Sequence, residues 1–192
     1  TTATILFLNT AKYVCMPPAI LNTERLVLTP VCDDDAEIVF SALSHPEVTR
    51  YYGVSYKTRE EAQEQMRWYA SLQENNTGIW WIIKNKVSNE KIGGCGFNNM
   101  MHQHRKTEMG YWLLPEYQGR GYMREALGIA TRYMFENRNI HRIEALVEPP
   151  NEASKKLLNN LHFIYEGCMK DCEIKNGAFI SLQIYALFNP LS

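Results

Sequence analysis

The stretch Glu108-Met-Gly-Tyr-Trp-Leu-Leu-Pro-Glu-Tyr-Gln-Gly-Arg-Gly-Tyr-Met-Arg-Glu-Ala-Leu127 decides how this chain is read. Its first part, residues 108–114, is apolar and aromatic, as a strand requires. Its last part opens a helical pattern from Gly121 to about Asn137, with Ala126, Leu127, Ala130 and Met134 on one face. Between them, Gly119 and Gly121 free the backbone to bend sharply, so that successive N–H groups can converge on one point. The helix behind them adds the positive end of its dipole. This order predicts a phosphate cradle over Gln118, Gly119, Arg120, Gly121, Tyr122 and Met123.

Two common nucleotide motifs do not fit. A triphosphatase loop needs Lys-Ser/Thr after its second glycine, and none follows here. A dinucleotide loop needs a third glycine where Arg124 stands, and it sits on a first strand rather than a hundred residues in.

The surroundings narrow the class further. The 192 residues are 45% hydrophobic and 21% charged, ordinary for one globular domain, which we place at 21–190. Residues 1–20 read as an N-terminal extension of uncertain status, because the chain opens on Thr1 and Met16-Pro17-Pro18 has the look of a native start. A net charge of −1 gives no field for nucleic acid or for an acidic membrane. The apolar piece at residues 5–8 is too short to span a bilayer. Five cysteines (Cys15, Cys32, Cys95, Cys168, Cys172) form no disulfide framework and suit a reduced cytoplasm. Neither Cys168-x3-Cys172 with His162 nor His102-x-His104 completes a metal site, so no metal is expected.

Along the chain, residues 26–29 predict a strand, and Asp33-Asp34-Asp35 predict the acidic start of a helix to about Leu43, ended by Pro46. Thr58-x-x-Glu61 reads as a capping box for a helix to about Asn75, with Met66, Tyr69 and Leu72 as its apolar stripe. Strands follow at 79–83, 91–97 and 108–114, with a polar loop at 98–107. After the helix from Gly121 come a strand at 142–147, a helix at 151–161, and strands at 163–169 and 178–188 joined through Asn176-Gly177. The order β-α-α-β-β-β-α-β-α-β-β is a mixed α/β domain whose antiparallel middle excludes a plain doubly wound sheet.

Three blocks in this order resemble the GNAT N-acetyltransferase superfamily, and within it the RimJ/RimL-type acetyltransferases of ribosomal-protein N-termini. The first is residues 108–127, where Gln118 and Gly121 match the loop pattern [QR]-x-x-G-x-[GA] and Met123 departs from it. The second is Asn151-Glu-Ala-Ser154 with Leu157-Leu158 and Phe163, and the third is Tyr165-Glu-Gly-Cys-Met-Lys-Asp-Cys-Glu173. The likeness spans about residues 21–188.

The resemblance implies a mostly antiparallel central sheet flanked by helices, with central strands that splay apart. It also implies acetyl-coenzyme A as cosubstrate. The loop then takes the pyrophosphate, and the backbone of Tyr111, Trp112, Leu113 and Leu114 takes the pantetheine, with an N–H near Tyr111 or Trp112 for the oxyanion. An amine must lose a proton before it attacks. Glu108 and Glu173 are the candidate bases. Many relatives place a Tyr seven residues after the helix Asn to serve the leaving sulfur, but Leu158 stands there. Ser154 is the candidate in its place, and Asn151 positions the pantetheine. Tyr51 and Tyr52 are expected on the acceptor wall, and His162 replaces a usual glycine. The implied acceptor is a protein N-terminus or a small amine, and the exposed edge of the last strands could pair two copies as a homodimer. The competing reading is a regulatory module that binds acyl-coenzyme A without catalysis.

Overall fold

The computed structural model describes residues 18–190, so the readings on residues 1–17 lie outside the described residues. In chain order the elements are β1 (Leu21–Asn22), β2 (Leu26–Pro30), α1 (Ala36–Leu43), α2 (Pro46–Thr49), α3 (Arg59–Glu74), β3 (Ile79–Asn85), β4 (Lys91–Met101) and β5 (Lys106–Leu113). They continue as α4 (Tyr122–Asn137), β6 (Arg142–Val147), α5 (Glu152–Asn160), β7 (Ile164–Lys175) and β8 (Ala178–Phe188). The strands form one sheet in the order β1-β2-β3-β4-β5-β6-β8-β7. Every neighbouring pair is antiparallel except β5 and β6, which run parallel. This is the mixed, mostly antiparallel α/β sheet expected from the sequence.

Both faces of the sheet are covered where β3 runs, which is why Ile79 to Ile83 are buried without alternation. One face carries Leu26, Leu28, Trp81, Ile83, Cys95 and Phe97 against the Ala126, Leu127, Ala130 and Met134 stripe of α4. The other carries Trp80, Ile82 and Trp112 against Val39, Leu43, Met66, Tyr69 and Leu72 of α1 and α3. Glycines on β4 make room for these indoles. A Cβ on Gly96 would lie 2.4 Å from the Trp80 ring, and one on Gly94 would lie 2.6 Å from that of Trp112.

Several boundaries differ from the sequence reading. Residues 98–107 are no loop: β4 runs on to Met101, a single turn of 3-10 helix at His102–His104 follows, and β5 starts at Lys106. The polar composition hides a ladder held by Met100, whose N–H donates to the Thr77 carbonyl, and by the Thr107 hydroxyl, which donates to the Asn98 carbonyl at 2.8 Å. Pro46 opens α2 as its first residue rather than only closing α1. Asp33–Asp35 form a 3-10 turn, and Asp35 stands at the N-cap of α1 but makes no cap hydrogen bond, its buried carboxylate pairing with Lys91 at 2.7 Å instead. In the expected capping box, Thr58 does accept from the Glu61 N–H, but the Glu61 carboxylate takes the Lys57 N–H. β7 extends six residues past Met169 to Lys175, so the hairpin through Asn176-Gly177 is longer than its apolar part suggests.

The packing over Gly96 makes a stability prediction. Gly96→Ala forces a methyl group into the Trp80 ring and the Ile79 carbonyl, which has no flexible end to retreat. We expect a loss of about 1–3 kcal/mol in denaturant unfolding, against no measurable loss for Gly53→Ala, where the added Cβ meets nothing within 4 Å.

Candidate active site

The site begins where β5 and β6 stop pairing. Their ladder holds only Lys106 with Arg142, Thr107 with Ile143, and Glu108 with Glu144. Beyond it, β5 stays bound to β4 as far as Leu113, while β6 stays bound to β8 as far as Val147. Each strand therefore follows its outer neighbour, and the sheet opens between them. Among the described residues, the inner edges of 109–113 and 145–147 present backbone groups with no ladder partner; the Leu113 carbonyl is met by the Gln118 side chain, and the others are left to water or a ligand.

Charges gather at the base of this split. Arg142 pairs with Glu144 at 2.7 Å and also with Glu166 of β7, while Lys106 reaches Glu144 at 3.4 Å. The hydrogen bond from Arg142 holds the Glu166 carboxyl below its usual range. Glu108 stands opposite Glu144 but has a neutral partner, the Asn99 amide, at 3.0 Å. Among the described residues no cation pairs with Glu108, so its oxygens remain able to accept.

At the far end of β5 the chain turns through Pro115–Tyr117 into the glycine loop. The Gln118 amide donates to the Leu113 carbonyl at 3.0 Å, tying the loop to the strand. Gly119 and Gly121 sit at φ +71 and +79, a region open to glycine at no steric cost. Added side chains would not be crowded there, so the conformation is what selects glycine at both positions. The first helical bond of α4 runs from the Glu125 N–H to the Gly121 carbonyl. The N–H groups of Tyr122, Met123 and Arg124 therefore face outward at the positive end of the helix. Met123 contributes only its backbone there, since its side chain is buried in the core.

Sequence reasoning missed what fixes this loop. The Glu125 carboxylate, in the first turn of α4, accepts from the Thr23 hydroxyl at 2.5 Å, the Arg25 N–H at 2.9 Å and the Arg25 Nε at 2.6 Å. The Arg25 guanidinium also donates to the Arg120 carbonyl at 3.1 Å and lies 4.6 Å from the Tyr122 ring centre. Burial alone would raise the Glu125 carboxyl, but the bonds from Thr23 and Arg25 outweigh it and hold it below the usual range. Beside this lock runs a groove of about 830 Å³ lined by Arg25, Arg124, Arg132, Asn160 and His162. His162 holds a left-handed φ of +64, the conformation for which a glycine is usual.

The remaining candidates come from three directions. Asn151 caps α5 and accepts the Ser154 N–H at 3.1 Å. Ser154 is half-buried in the first turn of α5, and Tyr111 of β5 packs its ring against the core beneath α4. Leu158 is fully buried. Tyr52 packs under α1 and α3, where burial and the nearby Tyr69 and Tyr56 push its phenol well up. The Tyr69 hydroxyl accepts from the Trp112 indole N–H at 3.4 Å, and Tyr52 packs in the same cluster, which links the turn after α2 to β5. Tyr51 is half-buried in the same turn.

Glu173 is exposed on β7, two residues from Lys175 and on the same face. The Lys175 ammonium reaches the Arg50 carbonyl at 2.7 Å and Glu148 at 2.5 Å. That clasp turns the Glu173 face toward α2 and the end of β6. Cys168 and Cys172 are exposed thiols on the same strand. Among the described residues no group of His, Cys, Asp or Glu is gathered that could hold a metal, and no helix is long and apolar enough to cross a membrane.

Comparison with known proteins gives this arrangement relatives. The family model described as "Acetyltransferase (GNAT) domain" matches residues 25–164. The uncharacterized N-acetyltransferase YoaA of Bacillus subtilis (strain 168) is 35% identical over 89% of this chain and 97% of its own length. The [ribosomal protein uS5]-alanine N-acetyltransferase of Escherichia coli (strain K12) is 28% identical over 91% of this chain and 93% of its own. Among solved structures, RimL, the ribosomal L7/L12 alpha-N-protein acetyltransferase in complex with coenzyme A, superposes with a TM-score of 0.81. It is 22% identical and covers 90% of this chain and 99% of its own.

The Glu125 lock carries a pH-dependent prediction. A carboxyl depressed in the folded state contributes stability that is complete above its unfolded pKa, about 4.3, and lost as pH falls through the folded value. Glu125→Gln should therefore cost about 1–2 kcal/mol near neutral pH. The two proteins should converge in unfolding experiments below the ordinary carboxylate range.

Proposed function

The chain belongs to the GNAT acetyltransferase family, and from that membership we propose that it transfers the acetyl group of acetyl-coenzyme A to a primary amine. The observation that carries this reading is the split between β5 and β6, opening directly beside the glycine loop at the start of α4. In this reading the N–H groups of residues 119–123 bind the pyrophosphate, and Gln118 acts through the strand it braces. The arginine-lined groove takes the phosphorylated nucleoside end, whose charge it complements. The pantetheine arm, held also by Asn151, lies along the open edge of β5, where its amides satisfy backbone groups of Tyr111, Trp112 and Leu113; Leu114, expected to join them, is already engaged, its N–H donating to the Ile92 carbonyl and its carbonyl accepting from the Tyr117 N–H. One of those N–H groups stabilises the oxyanion as it forms.

The amine approaches from the face that carries Glu108, past the wall formed by Tyr51, Tyr52, Tyr69 and Trp112. Glu108 or Glu173 takes its proton, directly or through water. The nitrogen bonds to the acetyl carbon, the carbon–sulfur bond breaks, and the amide and free coenzyme A result, with no acyl-enzyme required. A protein N-terminus is the favoured acceptor class, in keeping with the relative that acts on ribosomal protein uS5, and a small amine is the other. Residues 21–190 act as one catalytic domain in the cytoplasm, and the exposed β7 edge is where a second copy would pair.

Incubation with acetyl-coenzyme A and a panel of N-terminal peptides and polyamines, followed by thiol release, tests the reading. Turnover with one class is expected. Coenzyme A binding without turnover on any amine overturns the enzyme in favour of a binding module. Gly121→Val strains the backbone at φ +79 and should weaken coenzyme A binding about tenfold or more by calorimetry. Glu108→Gln and Glu173→Gln, made separately, identify the base as the variant that lowers kcat by about 100-fold.

A further inference from the structure

The tip of the β7–β8 hairpin reaches across the split. Lys175 pairs with Ala178 and closes the turn at Asn176 and Gly177, which hold left-handed φ of +52 and +79. From there its ammonium donates to the Arg50 carbonyl at 2.7 Å and to the Glu148 carboxylate at 2.5 Å. Arg50 is the C-cap of α2, so its carbonyl is one of those that a helix end leaves unmet. Glu148 follows Val147, the last residue of β6, on the open side of the split. The Lys175 and Glu148 side chains are only 20% and 14% exposed, so this is a largely buried contact rather than a solvated pair.

The contact joins the two halves of the sheet. β6, β7 and β8 lie on one side of the split, whereas α2 packs through Val48 on the cluster of α1 and α3 on the other. Tyr52, two residues past Arg50, packs in that cluster with Tyr69 and with Trp112 of β5. One wall of the opening is therefore the turn after α2, the other is the far end of β7 with Glu173, and Lys175 straps them together. It also sets the charge between them. Lys175 cancels Glu148, while Glu108 has a neutral partner in Asn99 and, among the described residues, Glu173 has no ion pair.

We propose that Lys175 determines acceptor specificity: it straps the two walls of the acceptor cleft and cancels Glu148 between them. The cleft is thereby fitted to a peptide N-terminus, which brings one ammonium, rather than to a polyamine, which brings several. This rests on the acetyl-transfer reading above, which admits the amine between these walls. Each carboxylate left without a cation favours a further ammonium in the ligand, and each fixed cation disfavours one. Walls already strapped together spare the acceptor the entropy of ordering them.

Lys175→Met and Glu148→Gln separate strap from charge, because both break the contact while they change the charge in opposite directions. In steady-state kinetics each should raise KM for a lysine-free peptide with a free N-terminus about tenfold, with KM for acetyl-coenzyme A within about twofold. The ratio of kcat/KM for spermidine to that for the peptide should stand about tenfold higher in Lys175→Met than in Glu148→Gln. A peptide KM within about twofold of the parent in both variants, or equal ratios in the two, overturns the proposal. Independently, hydrogen exchange reads the strap. The Tyr52 and Tyr56 N–H groups donate to the Thr49 and Leu43 carbonyls in the strapped turn. They should exchange about tenfold faster in both variants, with the amides of β4 unchanged. Unchanged exchange at Tyr52 and Tyr56 overturns the strap even if no amine is ever acetylated. Missing turnover in the parent protein, with faster exchange in the variants, overturns the acetyl-transfer reading and leaves the strap standing.

Discussion

A parallel ladder of three residue pairs is the constraint on which the structure turns. β5 and β6 are held together only at Lys106, Thr107 and Glu108, and the Arg142–Glu144–Lys106–Glu166 cluster pins that end. Past it, each strand is fully paired on its outer side, so neither can close the gap without breaking an existing ladder. The cost of the split is the unpaired backbone on its inner edges. An extended ligand with its own amides offsets that cost, which is why an opening in a sheet is a natural seat for pantetheine.

The glycine loop depends on the same geometry. β5 leads from the split through one 3-10 turn into Gly119 and Gly121, so the strand's open edge and the helix N-terminus follow one another along a single path. Side chains fix that path from outside. Gln118 holds the loop to Leu113, while Arg25 and Thr23 hold the first turn of α4 through Glu125. Glu125 is an acid at a helix N-terminus, favourable to the dipole, yet placed where an anionic ligand would meet repulsion. The hydrogen bonds that the Glu125 carboxylate accepts from Thr23 and Arg25 turn it sideways, away from the N–H groups at the helix start.

What was legible in the sequence follows the range of the forces involved. Gly119, Gly121 and Asn176-Gly177 speak through local backbone preference, and the stripes of α3 and α4 through periodicity. These placed every major element and the loop. The Arg25–Glu125 lock and the Lys175 clasp on Arg50 join residues far apart in the chain, and each partner alone reads as an ordinary surface or strand residue. The error over residues 98–107 has the same root. Its polar side chains carry a loop composition, whereas its ladder is held by backbone bonds and the buried Met100, which composition does not register.

The two halves of the site are built from different material. In the acetyl-transfer reading the donor side is mostly backbone: N–H groups at the start of α4 and the open edge of β5. Backbone does not discriminate between side chains, so it can be preserved while sequence drifts, in keeping with a fold shared at 22% identity. In the same reading the acceptor side is side chain: Glu108 on its Asn99 partner, the wall of Tyr52, Tyr69 and Trp112, and the β7–β8 hairpin clasped over α2 by Lys175. Glu108, Asn99 and the Lys175 clasp can change without disturbing the split or the loop, whereas Tyr69 and Trp112 are also part of the core. In that reading, selectivity for one amine over another falls to the turn after α2 and the far half of β7, which can vary while the split and the loop stay as they are.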